Sequence, residues 1–167
     1  AWGIKLNPKP GIKATEVFPA AIKGDIKGLY IFGEDPVVTD ADTNHIIKAL
    51  ESLDFLVMNE LFMTETAQYA DVILPGVSYA EKEGTFSNTE RRVQRVRKAV
   101  ELEGEMRLDT DIFIDLLNRM GYPQPHLTSA EIMDEIASVT PSFGGISHAR
   151  LDSEEVGGKG VLASQGT

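Results

Sequence analysis

The chain has 167 residues, 42% of them hydrophobic and 25% charged, which is enough length and apolar content to bury a core in a soluble globular fold. A net charge of −10 and a pI near 4.7 argue against non-specific attachment to nucleic acid or to an anionic membrane. With no cysteine, disulfides, cysteine nucleophiles and cysteine-held zinc or iron–sulfur sites are excluded within these residues.

The first dozen residues are rich in Pro, Gly and Lys and form an extended lead-in. AWGIKLNPKPG lacks the charged-then-apolar order of an export signal, and no apolar run approaches the ~18 residues of a membrane helix. A cytoplasmic protein without membrane contact is therefore expected. Thr15 to Lys23 reads as a short helix, with Thr15 as N-cap, Gly24 at C′ and Pro19 sitting awkwardly inside. Gly28 to Phe32 (GLYIF) is a buried strand, followed by the turn GEDP. Thr39 or Asp40 then caps a helix to Leu53, with Ile46, Ile47, Leu50 and Leu53 spaced for one buried face. Phe55 to Met58 and Asp71 to Leu74 are two further strands, with a helical turn between them over Thr64 to Tyr69. Strands that are apolar throughout and alternate with helices predict an α/β fold, a parallel sheet covered on both faces by helices.

Beyond Pro75 the pattern changes. Thr85 to Ser87 and Arg92 to Val100 form the arms of an irregular hairpin around Asn88-Thr89-Glu90, with Val93 and Val96 at opposite parity. A helix then runs from near Thr110 to before Gly121, with Ile112, Phe113, Leu116, Leu117 and Met120 expected to be buried. The last helix, Ser129 to about Ser138, carries a Thr128-x-x-Glu131 capping box. The glycine- and serine-rich residues 152–167 read as a flexible tail.

In doubly wound sheets, ligands bind outside the carboxyl ends of the strands. Three such ends are readable: GEDPVVT (Gly33 to Thr39), Asn59-Glu60, and PGVS (Pro75 to Ser78). Gly33 lets a ligand approach the backbone, and a helix start at Thr39 offers amides to an anion. Asn59 is placed for a ribose hydroxyl. Neither GxGxxG nor GxxxxGK[ST] is present, and on spacing alone Asp35 supports a turn and Thr39 caps a helix. Asp111 stands in the first turn of its helix, where a carboxylate complements the dipole; its two oxygens also match the parallel N1–H and N2–H donors of guanine. Spacing alone favours the cap. The basic run Arg91, Arg92, Arg95, Arg97, Lys98 reads as a solvated hairpin or as a docking face for an anionic partner. His45, His126 and His148 are far apart and outside metal-ligand spacing, and GxSxG is absent, so no catalytic or metal residue is assigned.

GLYIFGEDPVVTD, then FLVMNELFMTETAQYADVILPGVSYAEKEGTFSNTERRVQ, then DTDIFIDLLNRMGY together resemble the catalytic subunit of formate dehydrogenases of the molybdopterin oxidoreductase family. The likeness runs from about Trp2 to Leu151 and includes PSFGGISHARL. It implies an internal piece of a longer enzyme: a dinucleotide-binding-like, doubly wound α/β domain over 1–151. Residues 79–109 would be a protruding hairpin insert packed on an iron–sulfur domain absent from this chain. It implies one guanine dinucleotide arm of a bis-molybdopterin guanine dinucleotide cofactor with molybdenum or tungsten, contacted by Asp35, Thr39, Asn59, Gly76 and Asp111. Asp111 would then open into the same crevice as Asp35 and Asn59. The parent would oxidise formate to carbon dioxide and pass electrons through a 4Fe–4S cluster to electron-transfer subunits. A second pterin-binding domain and a C-terminal barrel would complete it, and the isolated chain is expected to be inactive. Family members often carry Trp where this chain has Ile112, and the tail after Leu151 departs from their pattern. Two alternatives stay open: a non-catalytic scaffold subunit related to the large iron–sulfur subunit of NADH dehydrogenase, and a stand-alone flavodoxin-like module.

Overall fold

A computed structural model describes residues 5–101, 103–153 and 160–163. The chain divides into two compact units, one of residues 2–76 with 105–109 and the other of residues 77–104 with 110–167.

The first unit is α/β. It contains α1 (Ala14–Ile22), β1 (Gly28–Phe32), α2 (Pro36–Thr39), α3 (Thr43–Glu51), β2 (Phe55–Glu60), a 3-10 turn (Thr66–Tyr69) and β3 (Val72–Pro75). The strands form a parallel sheet in the order β1-β2-β3, with Ile31, Met58 and Ile73 in register. Parallel pairing requires crossovers, and α2 with α3 supplies the first of them. Ile31, Leu56 and Met58 meet Val37, Ile46, Leu50 and Ala67 in the core. Helix α1 is preceded by Lys13 rather than capped by Thr15, with Glu16 reaching back to the Lys13 amide at 3.4 Å. Its end is as expected: the Gly24 amide donates to Ala21 and the Asp25 amide to Ala20, both at 2.9 Å.

Two expectations are corrected here. The helix read from Thr39 or Asp40 starts later, at Thr43, where Asp42 caps it by accepting from the His45 amide at 3.1 Å, and the short α2 ends at Thr39. The strands are not buried on both faces. Tyr30, Phe32, Phe55, Val57 and Val72 alternate away from the core, and Phe32 and Phe55 remain 49% and 50% exposed.

The second unit has an antiparallel sheet of β4 (Gly84–Ser87), β5 (Arg92–Val96) and β6 (Val161–Leu162). Its helices are α4 (Asp109–Arg119, whose first residue belongs to the other unit), α5 (Ser129–Val139) and α6 (His148–Leu151). The hairpin turns where Asn88 Oδ1 accepts from the amides of Glu90 and Arg92, both at 3.0 Å. The capping box of α5 is present, with the Thr128 amide donating to Glu131 at 2.8 Å and the Glu131 amide to Thr128 Oγ1 at 3.3 Å. On α4, Ile112 is buried, but Phe113 and Leu117, and Met120 just after the helix, are exposed, contrary to the pattern-based reading.

The hairpin has packing partners within its own unit. Val93 joins Met133, Ile146 and Leu151 in a core, so the hairpin is the sheet of this unit as well as a departure from the α/β unit. Arg95 shares the parity of Val93, and its side chain is only 11% exposed. Its guanidinium donates to Gly84 O at 3.2 Å and lies 3.6 Å from Glu83 and 3.4 Å from Asp152. Arg97 also pairs with Asp152, at 2.6 Å, Lys98 pairs with Glu101, and Arg92 donates to Gly160 O at 3.3 Å. The chain's own carboxylates and carbonyls thus absorb much of the basic run. Within the expected tail, Val161–Leu162 pair with Arg92–Val93; residues 154–159 and 164–167 lie outside the described residues.

His148, at the start of α6, is a half-buried base of the second unit. Burial, and then the neighbouring Arg95, push its pKa below 6.5, against the opposite pull of Glu83, Asp152 and Asp134. Its Nε2 is buried and finds no hydrogen-bond partner among the described residues. The stability it contributes is complete above pH 6.5 and lost as pH falls through the lower folded-state value. Thermal melts are expected to fall as pH drops below 6.5, and His148→Gln to flatten that fall. In the first unit, Met58→Ala removes a side chain with no exposure, and denaturant unfolding is expected to show a loss of about 2–5 kcal/mol.

Candidate functional site

At the carboxyl ends of β1 and β2, Asp35 and Thr66 form a closed hydrogen-bond set. Asp35 Oδ1 accepts from the Thr66 amide at 3.0 Å and from its hydroxyl at 2.5 Å. Thr66 Oγ1 in turn accepts from the Val37 amide at 3.1 Å. Pro36 has no N–H, and the Val38 and Thr39 amides both donate to Asp35 O, at 3.0 and 2.9 Å. The first-turn amides of α2 are therefore spent within the chain. Thr39 ends α2 instead of starting a helix, and its hydroxyl donates to Asp35 O at 3.0 Å. Gly33, at φ 62, has its amide on Asn59 O at 3.0 Å, and nothing lies within 4 Å of where a Cβ would stand.

Asn59 is 1% exposed, and its amide is likewise engaged. Its Nδ2 donates to Leu74 O at 3.2 Å and lies 3.5 Å from Asp109 Oδ1, while its Oδ1 accepts from the Tyr30 hydroxyl at 3.3 Å. Burial, and then the charge of Asp109, raise the Tyr30 pKa, so the phenol keeps its proton and remains a donor. Gly76 is brought beside this cluster. A Cβ at Gly76 would fall 2.8 Å from Asp109 Oδ1 and 2.9 Å from Asn59 Nδ2, so a side chain here would displace that pair; the constraint is close approach and not an unusual φ.

Asp111 belongs to the other compact unit. It lies in the first turn of α4 with its side chain 35% exposed, and its Oδ1 is 3.0 Å from His126 Nδ1. The other ring nitrogen, Nε2, is 3.2 Å from Asp115 Oδ1. The hydrogen bond to Asp111 is the main cause of a raised His126 pKa, with both carboxylate charges acting in the same direction. The stability from this cluster is complete below pH 6.5 and lost as pH rises through the folded-state value, opposite in sign to His148.

Of the five expected contact residues, Asn59 and Gly76 are brought together, Asp35 and Thr39 share a turn, and Asp111 stands with His126. Sequence reasoning missed Thr66, Tyr30, Asp109 and His126. Asp109 had a signal, the repeated aspartate of DTD, whereas His126 had none. Among the described residues no group of three His, Asp or Glu side chains is arranged to hold a metal, and no helix is long and apolar enough to cross a membrane.

A family model described as molybdopterin oxidoreductase matches residues 3–119. A protein of Staphylococcus haemolyticus named "Putative formate dehydrogenase" is 45% identical over 150 residues, 90% of this chain. A protein of Staphylococcus aureus strain USA300 with the same name is 43% identical over 151 residues. The chain spans 15% of the length of each. Among solved structures, acetylene hydratase from Pelobacter acetylenicus superposes with a TM-score of 0.67 at 24% identity, over 81% of this chain and 19% of that one, a likeness of fold alone. With the match covering the parallel sheet, its strand ends and α4, the chain belongs to the molybdopterin oxidoreductase family.

Proposed function

We propose that the chain is a segment of a formate dehydrogenase catalytic subunit and binds one guanine dinucleotide arm of a bis-molybdopterin cofactor carrying molybdenum or tungsten. The observation that supports the parent enzyme is 43–45% identity, over 90% of the chain, to relatives bearing that name. The observation that supports the nucleotide arm is the Asp111 carboxylate, partly open to solvent in the first turn of α4.

The donor set fits a purine nucleotide in part. Asp111 offers acceptor oxygens to the N1–H and N2–H of guanine, a charge-assisted pair that adenine lacks. Gly33 and Gly76 leave backbone free of Cβ at two strand ends, the first open and the second in close contact. Asp35, Thr39 and Asn59 act in this reading mainly by fixing the strand-end loops, because their polar atoms are largely engaged within the chain. The cofactor, when bound, supplies the two-electron chemistry of formate oxidation, and the protein supplies position and electrostatics. With no cysteine to complete the metal's coordination or to hold a 4Fe–4S cluster, these 167 residues alone are not expected to turn over formate. The iron–sulfur domain, second pterin domain, barrel and electron-transfer subunits would belong to the rest of the parent enzyme.

Calorimetric titration of GMP and AMP tests the nucleotide reading. The chain is expected to prefer GMP, and Asp111→Asn to remove roughly 10- to 100-fold of that preference, the worth of a charge-assisted pair. Equal binding of the two bases, or a preference that survives the substitution, would return Asp111 to being a helix cap.

A further inference from the structure

The ring of His126 lies between two carboxylates one helical turn apart on α4, with Nδ1 3.0 Å from Asp111 and Nε2 3.2 Å from Asp115. A neutral imidazole has one N–H and one bare lone pair, so either tautomer would aim a lone pair at a carboxylate. Only the imidazolium donates at both nitrogens. The geometry therefore holds a positive charge between the two aspartates, in agreement with the direction in which they move the ring's titration. Among the described residues, the charged groups that move the ring's titration are these two, both on α4.

The segment carrying His126 is itself fixed to the end of α4. The Gly121 amide donates to Asn118 O at 3.2 Å and the Tyr122 amide to Leu117 O at 2.9 Å, which turns the chain back along the helix. Asn118 then holds Gln124 twice, accepting from its amide at 2.6 Å and donating to its carbonyl at 3.1 Å. The clamp reaches Asp111 from a segment anchored one helix length away. A carboxylate that reads a base edge must hold its oxygens in one orientation, and carboxylate charge nearby repels a nucleotide's phosphates. An imidazolium between Asp111 and Asp115 answers both requirements.

We propose that His126 is a positioning residue for nucleotide recognition: its protonated ring fixes the Asp111 carboxylate in the orientation that selects guanine over adenine and offsets the charge of Asp115. This inference rests on the reading of Asp111 given above and adds a residue and a pH dependence to it.

The test measures GMP-over-AMP preference by titration between pH about 6 and 8.5, where the phosphate's own ionisation cancels in the ratio. Wild type is expected to lose preference as pH rises through the His126 midpoint. His126→Gln, which can donate but not ionise, is expected to show a preference lowered by roughly three- to ten-fold and independent of pH. His126→Arg, a permanent cation with donors for both carboxylates, is expected to restore the preference and remain flat with pH. In parallel, NMR titration of the ring reads the clamp without nucleotide: a wild-type midpoint above 6.5 should fall in both Asp111→Asn and Asp115→Asn. A wild type with no guanine preference, or one that Asp111→Asn leaves intact, overturns the reading of Asp111 and this inference with it. A preference abolished by Asp111→Asn but unmoved by pH and by His126→Gln overturns this inference alone. So does an ordinary His126 midpoint.

Discussion

Thr66 has no solvent exposure, and its hydroxyl gives its proton to Asp35 while accepting that of the Val37 amide. One side chain thereby joins the loop after β1 to the loop after β2, which parallel pairing leaves without a direct connection. Asp35, Pro36 and the short α2 can hold their course because each polar group exposed by the turn meets a partner there. Asn59 does the same for the next strand end, linking Tyr30 on β1, Leu74 on β3 and Asp109. These two knots fix the strand ends of the first unit, and a buried group left unpaired in either would cost about 1–3 kcal/mol. They also change the chemical meaning of the strand-end polar residues: Asp35 and Asn59 are first of all internal partners.

The parallel strands were legible because an uninterrupted apolar run of four or five residues between turn signals leaves few alternatives. The capping box of α5 was legible because both its members lie within one helical turn. The start of α3 was not, since TDADT offers several residues able to cap and only the folded chain chooses Asp42. The stripe of Phe113, Leu117 and Met120 shows where the periodic pattern stops being informative: spacing identifies an apolar face but not what covers it. Arg95 is the opposite case, a charge at an inward position whose partners, Gly84, Glu83 and Asp152, are gathered from separate segments. For the site, the likeness to a family singled out five residues, but Thr66 and His126 act through contacts between segments that no local pattern encodes.

Two histidines with opposite perturbations follow from the same logic. His148 is half-buried beside an arginine, and burial and that charge lower its pKa, whereas His126 stands on a helix surface between two carboxylates that raise its pKa. Neither outcome follows from the residue type or from the chain's acidic average. Local partners within a few ångströms outweigh a net charge of −10 spread over the whole molecule, as screening over a Debye length of about 8–10 Å requires.

The outward face of the parallel sheet, where Phe32 and Phe55 stand half exposed, has a thermodynamic consequence. The heat capacity of unfolding and the denaturant sensitivity both scale with the apolar surface that becomes hydrated when the chain opens. Much of this face is already hydrated in the native state and contributes to neither. Calorimetry on the chain would therefore give a flatter stability curve than its length implies, and the same residues covered by other protein would steepen it.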